Sequence, residues 1–190
     1  MRTAVSKKTE ISPEIKAMQE EWLRQAAAVR SRSMGAGIAF KHPVSHMTGL
    51  QILTEMLDGK LPYPHICDTL GFILVEVGMG RVVFQGTPVI EHYNPMGTVH
   101  GGWYATLLDS AVACAVQTTL PVGKGYTTAE LGLNIVRAAN EHTGPLRAIG
   151  EVIHGGRQMA TAQGRIVDAE GKLYAHCTTT CFVFDAKPQG

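Results

Sequence analysis

The sequence predicts an α+β fold in which a curled antiparallel sheet wraps one central buried helix, preceded by an N-terminal helical extension. Residues 101–118, GGWYATLLDSAVACAVQT, read as a helix with no broad polar face, so they require cover on most sides. Two strand-like runs precede this segment and four follow it. One long helix set among antiparallel strands is covered only where the sheet curls around it.

Taken in order, SPEIKAMQEEWLRQAAAV from Ser12 reads as a helix, with Ser12 as N-cap and Pro13 in its first turn. Ile15, Met18, Trp22, Ala26 and Val29 form an apolar stripe for packing on the body or on a partner. RSRSMGAGIAFKHPVSH is a linker, so residues 1–47 are expected to form the extension and 48–190 the main domain. A second helix, TGLQILTEMLDG, carries the capping-box pair Thr48 and Gln51 and stops at Gly59. The stiff loop KLPYPHI leads to TLGFILVEV and RVVFQGTPV, two strands joined across GMG as a hairpin. Residues 94–100 form a loop before the central helix.

After that helix, YTTAELGLNIVRA alternates Thr127, Ala129, Leu131, Leu133 and Ile135 onto one face. LRAIGEVIH, QMATAQGRIVD and LYAHCTTTCFVF follow, the last two joined by the DAEGK turn. The four late strands are expected to succeed one another as a meander.

The chain has 190 residues, 45% hydrophobic and 17% charged, which suits one domain with a modest extension and a sizeable core. Its formal net charge of +1 offers no electrostatic footprint for nucleic acid or a membrane surface. The opening MRTAVSKKTE lacks the apolar core of a signal segment, and no run is long enough to span a bilayer. Cys67, Cys114, Cys177 and Cys181 show no metal-type spacing. They read as free buried thiols in a reducing, cytoplasmic setting.

The chemistry concentrates in the central helix and its entrance. Asp109 is a carboxylate in an otherwise apolar helix, where an ionised group needs a hydrogen-bonding partner or a task. Gly101 and Gly102 open the helix, so their N–H groups are expected to point outward, unpaired, at the positive end of its dipole. That arrangement suits an oxyanion hole for acyl transfer. Eight residues of helix separate Gly101 from Asp109, about 12 Å along the axis. One thioester carbonyl cannot touch both groups of one chain. If both serve one substrate they come from different subunits across a two-fold interface.

The run Asn94, Gly97, His100, Gly101, Gly102, Leu107 and Asp109 has the form N-x2-G-x2-H-G-G-x4-L-x-D. It resembles the hotdog-fold acyl-CoA thioesterases of the PaaI (phenylacetate-degradation) type. TTAELGLNIVRAA and GRQMATAQGRIVDAEGKLYAHCTTT are similar to that family's strand after the helix and its closing hairpin, and the likeness spans roughly residues 48–184. The family's strand usually ends in Arg-Pro-Ala, whereas here Arg137 is followed by Ala138 and Ala139. The resemblance implies a hotdog fold and hydrolysis of a small aromatic or short- to medium-chain acyl-CoA. It assigns Asp109 as general base or nucleophile and the Gly101 N–H as oxyanion donor. Asn94 then positions the thioester or the attacking water, and His100 braces the loop near the thioester. Thr128 corresponds to the Ser or Thr that orients water beside the acid; its neighbour Thr127 faces the other way.

Gly102 is expected at the substrate. Coenzyme A phosphates call for cations at the pocket mouth, with Arg157 first, then Arg137 and Lys124. Trp103, Tyr104, Tyr63 and Phe72 line an acyl pocket or belong to the core. The expected assembly is a homodimer, extending to a dimer of dimers.

No metal and no cofactor beyond the coenzyme A of the substrate are expected. Pro43 lies between His42 and His46, VGMG lacks the third glycine of a dinucleotide loop, and no Gly-x-Ser-x-Gly elbow occurs. Two other functions on the same fold are an acyl-CoA-binding sensor and an acyl-thioester hydratase or dehydratase. The first 47 residues carry too little helix for a DNA-binding head. The His-acid context of the dehydrating enzymes is not found.

Overall fold

A computed structural model describes residues 12–186. The charged opening stretch, expected to be no signal segment, lies outside the described residues. The elements in order are α1 (Pro13–Arg32), α2 (Gly49–Leu57), the one-turn α3 (Ile66–Thr69), β1 (Phe72–Gly78), β2 (Arg81–Gly86), α4 (Gly101–Thr118), β3 (Lys124–Ile135), β4 (Leu146–Gly155), β5 (Met159–Val167) and β6 (Leu173–Asp185). The α+β architecture expected from the sequence is observed: a six-stranded antiparallel sheet curls around α4. Among the described residues no helix is long and apolar enough to cross a membrane.

The strand order is β1-β2-β4-β5-β6-β3, which corrects the expected four-strand meander. Strands β4, β5 and β6 do run as a meander, but β3 pairs with β6 at the far edge. Helix α4 lies along the strands: a Cβ on Gly86 would lie 2.8 Å from Trp103 near its start, and the Gly80 N–H donates to Thr118 at its end. Strand β3 flanks it in the same way, from Ile135 beside Gly101 to Tyr126, which donates to Gln117. An apolar helix with β2 on one side needs cover on the other, and β3 supplies it from the far edge.

Close contact between helix and sheet depends on two glycines. A Cβ on Gly150 would lie 2.2 Å from the Ala111 carbonyl oxygen, and one on Gly164 would lie 2.6 Å from Val112. Leu107, Leu108, Ala111, Val112, Ala115 and Val116 of α4 are fully buried against the sheet.

Several boundaries move for identifiable reasons. The strand expected over 81–89 stops at Gly86, ahead of Pro88, which has no N–H to donate to a ladder. A short 3-10 turn, Ile90–His92, then enters the loop before α4. Ser12 and Thr48 cap α1 and α2 as their sequence signals indicate.

The apolar stripe expected on α1 is only partly buried. Val29 is buried, but Met18 is 46% exposed. The helix docks on the outer face of the sheet largely through polar groups. Buried Arg147 of β4 donates to Gln85, Glu76 and Gln25, and its guanidinium lies 4.2 Å from the centre of the Trp22 ring. Gln25 donates to the Val75 carbonyl and Gln85 to that of Trp22.

All four cysteines are free thiols, as expected; Cys67, Cys177 and Cys181 are buried and Cys114 is half-buried.

Candidate active site

The entrance to α4 is built by residues that satisfy one another. Asn94 forms the turn before it: its Oδ1 accepts from the N–H groups of Met96 (2.9 Å) and Thr98 (3.3 Å). Its Nδ2 donates to Thr98 Oγ1 at 3.0 Å. His100 is the N-cap of α4. Its Nδ1 accepts from the Gly102 N–H at 2.9 Å, and its own N–H donates to the His92 carbonyl at 2.8 Å. The expectation of two free glycine donors is therefore corrected: Gly102 is capped. Among the described residues the Gly101 N–H has no acceptor, and it stands at the positive end of the helix.

His92 is the residue that the sequence reading missed here. It is buried, its ring packs 5.5 Å from Trp103, and its Nδ1 accepts from the Val89 N–H at 3.2 Å. Burial lowers its pKa, outweighing the nearby Glu91 carboxylate. A histidine in a loop sequence carries no signal of burial, so only the folded chain reveals it.

Two turns further along α4, Asp109 is half-buried, and its Oδ1 accepts from Thr128 Oγ1 at 3.0 Å. The register explains why Thr128, and not Thr127, faces the helix. Strand β3 has a bulge at Ala129, where pairing with β6 jumps from Thr128↔Cys181 to Glu130↔Thr180. Beyond it, Leu131 and Leu133 sit opposite the inward-facing Thr179 and Cys177. The simple alternation expected for this strand is therefore wrong. The extra residue puts Thr128, Leu131, Leu133 and Ile135 on one face, while Thr127 is exposed on the other. Nearby thiols are held protonated: burial pushes Cys177 up to about 11 and raises Cys181. Neither is primed as a nucleophile.

A pocket of about 420 Å³ opens at the start of α4, between the 94–99 loop and the end of β3. Asn94, Gly101, Tyr104 and Arg137 line it; Asp109 and Thr128 do not. The fold thus brings Asp109 to Thr128, and Asn94 to Gly101, as two separate groups. Of the four aromatic candidates, only Tyr104 reaches the pocket. Phe72 and Trp103 are core, with the Trp103 indole N–H bonded to the Leu70 carbonyl, and Tyr63 donates to Asp68.

The three basic candidates lie apart. Arg157 is exposed in the turn between β4 and β5. Arg137 adjoins the pocket, with its Nε donating to the Leu173 carbonyl and its guanidinium over the Tyr174 ring. Lys124, at the start of β3, is paired with Asp185 at 2.6 Å. Among the described residues no group of three or more His, Cys, Asp or Glu side chains comes together to hold a metal ion.

A helix wrapped by an antiparallel sheet, with a free N–H at its entrance and an acid in its middle, has the form of an acyl-thioester-processing protein. The comparisons give the family. Residues 96–175 match the thioesterase superfamily. The chain is similar to a phenylacetic acid degradation-related protein from Ralstonia eutropha, at 31% identity, 68% of this chain, 97% of that one and a TM-score of 0.62. It is also similar to the phenylacetic acid degradation protein PaaI from Thermus thermophilus, at 29% identity, 62% and 96% coverage and a TM-score of 0.56. A 1,4-dihydroxy-2-naphthoyl-CoA hydrolase from Listeria monocytogenes is 25% identical over 116 residues, 61% of this chain and 91% of that protein. The chain belongs to the thioesterase superfamily, as a hotdog-fold protein of the PaaI type, and it is a thioester hydrolase.

Proposed function

We propose that the protein hydrolyses a small aromatic or short- to medium-chain acyl-CoA to the free acid and coenzyme A, in an active site shared between two subunits. The observation that carries this reading is a division of labour within one helix. The Gly101 N–H opens into a pocket at the entrance of α4, while Asp109 waits two turns away on the Thr128 hydroxyl. The thioester carbonyl oxygen accepts from the Gly101 N–H of one subunit. Asp109 of the partner subunit either takes a proton from a water as its oxygen adds to the carbonyl carbon, or adds itself to give an anhydride that water then opens. The C–S bond breaks, and the thiolate takes up a proton and leaves as coenzyme A.

Strand β3 supports the shared site. Strand β1 is packed by α1 and α2, whereas the outer edge of the 12-residue β3 is unpaired among the described residues. An unpaired edge of that length is a template for a second strand. Antiparallel pairing about a two-fold axis near Leu131 and Gly132 sets Thr128 opposite Ile135 of the partner subunit. A Cβ on Gly101 would lie 3.2 Å from Ile135, so this pairing brings the acid of one chain towards the donor of the other. Pairs of such dimers make the tetramer that the family resemblance implies.

Asn94 and His100 act by holding the Gly101 donor in place. Arg157 and Arg137 receive the coenzyme A phosphates, with Lys124 behind them because Asp185 competes for its charge. Gly102 acts through its bond to His100. A panel of acyl-CoA esters with free-thiol detection tests the reading. Asp109→Asn keeps the shape of the side chain and removes its basicity, so turnover is expected to fall by about 10²-fold or more while the fold persists. Hydrolysis at the wild-type rate by the folded variant overturns the role of Asp109.

A further inference from the structure

We propose that Tyr104 is the stop at the bottom of the acyl pocket and sets the length of acyl group accepted, an inference that rests on the thioesterase reading of that pocket. The lining residues sort by depth. Met96 (83% exposed), Val136 (56%) and Ile135 (44%) form the rim, whereas Val99 (4%) and Tyr104 (1%) form the floor. Tyr104 lies three residues beyond the Gly101 donor, about 4.5 Å further along the helix. An acyl chain whose carbonyl oxygen sits on the Gly101 N–H therefore meets the ring after a short run.

The ring is fixed. It packs edge-on to Trp103 with centroids 5.7 Å apart, and its hydroxyl donates to the Arg137 carbonyl at 3.3 Å. That bond ties α4 to the opposite pocket wall. Burial raises the Tyr104 pKa, so the phenol remains a neutral donor at ordinary pH.

The floor is also chemically selective. The acceptor oxygen of the Asn94 amide is already engaged by two backbone donors, and the Tyr104 hydroxyl by a carbonyl. Val99 supplies only hydrocarbon. A hydroxylated or carboxylated acyl end pressed against Val99 and the face of the Tyr104 ring would lose part of its water to hydrocarbon. The group that fits is apolar and short.

The test is a ladder of straight-chain thioesters from acetyl-CoA to dodecanoyl-CoA, with phenylacetyl-CoA beside it, read as kcat/KM by thiol release. The wild type should fall by about 10-fold or more for each methylene beyond its limit, the scale on which apolar pockets discriminate. Tyr104→Leu should move that limit by two or more carbons, read as a rise of about 10-fold or more in the ratio of long-chain to short-chain kcat/KM. Tyr104→Met should act in the same direction, which keeps the test available if the leucine variant does not fold. Tyr104→Phe keeps the ring, so its limit should stay put while thermal stability drops through the lost hydrogen bond. The inference is overturned if folded Tyr104→Leu or Tyr104→Met lowers every member of the ladder by one common factor, or leaves the limit unchanged. A wild type that cleaves neither the ladder nor phenylacetyl-CoA sinks the thioesterase reading itself, a result distinct from an unmoved limit.

Discussion

Asp109 is held by one hydrogen bond, and the donor of that bond depends on a single extra residue in β3. The bulge at Ala129 separates Thr128, which faces the helix, from exposed Thr127. Thr128→Val keeps the shape and removes the donor, so kcat should fall by about 10- to 100-fold, what one hydrogen bond to a charged group supports. Thr127→Val should leave steady-state kinetics unchanged; the reverse pattern would mean that the wrong hydroxyl has been assigned. His92 leads to a pH prediction. Its Nδ1 must stay unprotonated to accept from the Val89 N–H, and burial lowers its pKa in the folded chain. The unfolded chain therefore binds this proton more readily, and stability is lost as pH falls below the ordinary histidine value of about 6.5. Thermal unfolding from pH 7 to 5 should show that slope, and His92→Gln, with an amide oxygen as acceptor, should flatten it. An equal slope in the variant assigns the effect to another group.

At the scale of elements, α1 is docked by a charge more than by its apolar stripe. Arg147 holds Gln25, Glu76 and Gln85 and stacks on Trp22, and burial lowers its pKa. Arg147→Ala strands these partners under the helix and should cost about 3–5 kcal/mol, the range for removing one member of a buried pair. Chemical denaturation measures this, and proteolysis within α1 should accelerate alongside it. Unchanged stability would mean that Val29 and its neighbours hold the helix unaided. This anchor also marks where sequence reading ran out. In LRAIGEVIH an arginine between apolar residues reads as solvent-facing, because nothing in the strand reveals a helix packed on its outer side. The elements themselves were legible, since periodicity and caps are local: Ser12, Thr48 and the six strand runs all find their counterparts. The position of β3 beside β6 was not, because strand adjacency is decided by pairing between segments far apart in the chain. The bulge at Ala129 escaped for a related reason: its cause lies in pairing with β6, and the residues of β3 alternate smoothly past it. Gly101 and Asp109 could be named from the helix pattern and Asn94 from the family resemblance, but the capping of Gly102 by His100 required the folded turn.

For the whole molecule, the decisive question is whether one chain can complete a site. Along a single α4 the Gly101 donor and Asp109 are about 12 Å apart, and the pocket at Gly101 does not include Asp109. Two inactive variants should therefore complement each other. Gly101→Pro removes the donor N–H at a position where proline is compatible with a helix start. Its added Cβ meets the end of the Ile135 side chain at 3.2 Å, a contact a flexible methyl can relieve. Asp109→Asn supplies the other defect. Each variant alone should be nearly inactive. When the two are unfolded, mixed in equal amounts and refolded, random pairing makes half of the dimers mixed. Each mixed dimer contains one site with both groups intact and one with neither, so about a quarter of wild-type activity should return. Tagging the two chains differently and purifying the mixed species should raise this to about half. A purified mixed dimer with no activity, from variants that each give a native melting curve, would show that donor and acid do not act across the interface. An Asp109→Asn preparation that is active without its complement would instead remove the acid from the mechanism. The two failures are separable, because the first requires the mixed dimer and the second appears in a single protein.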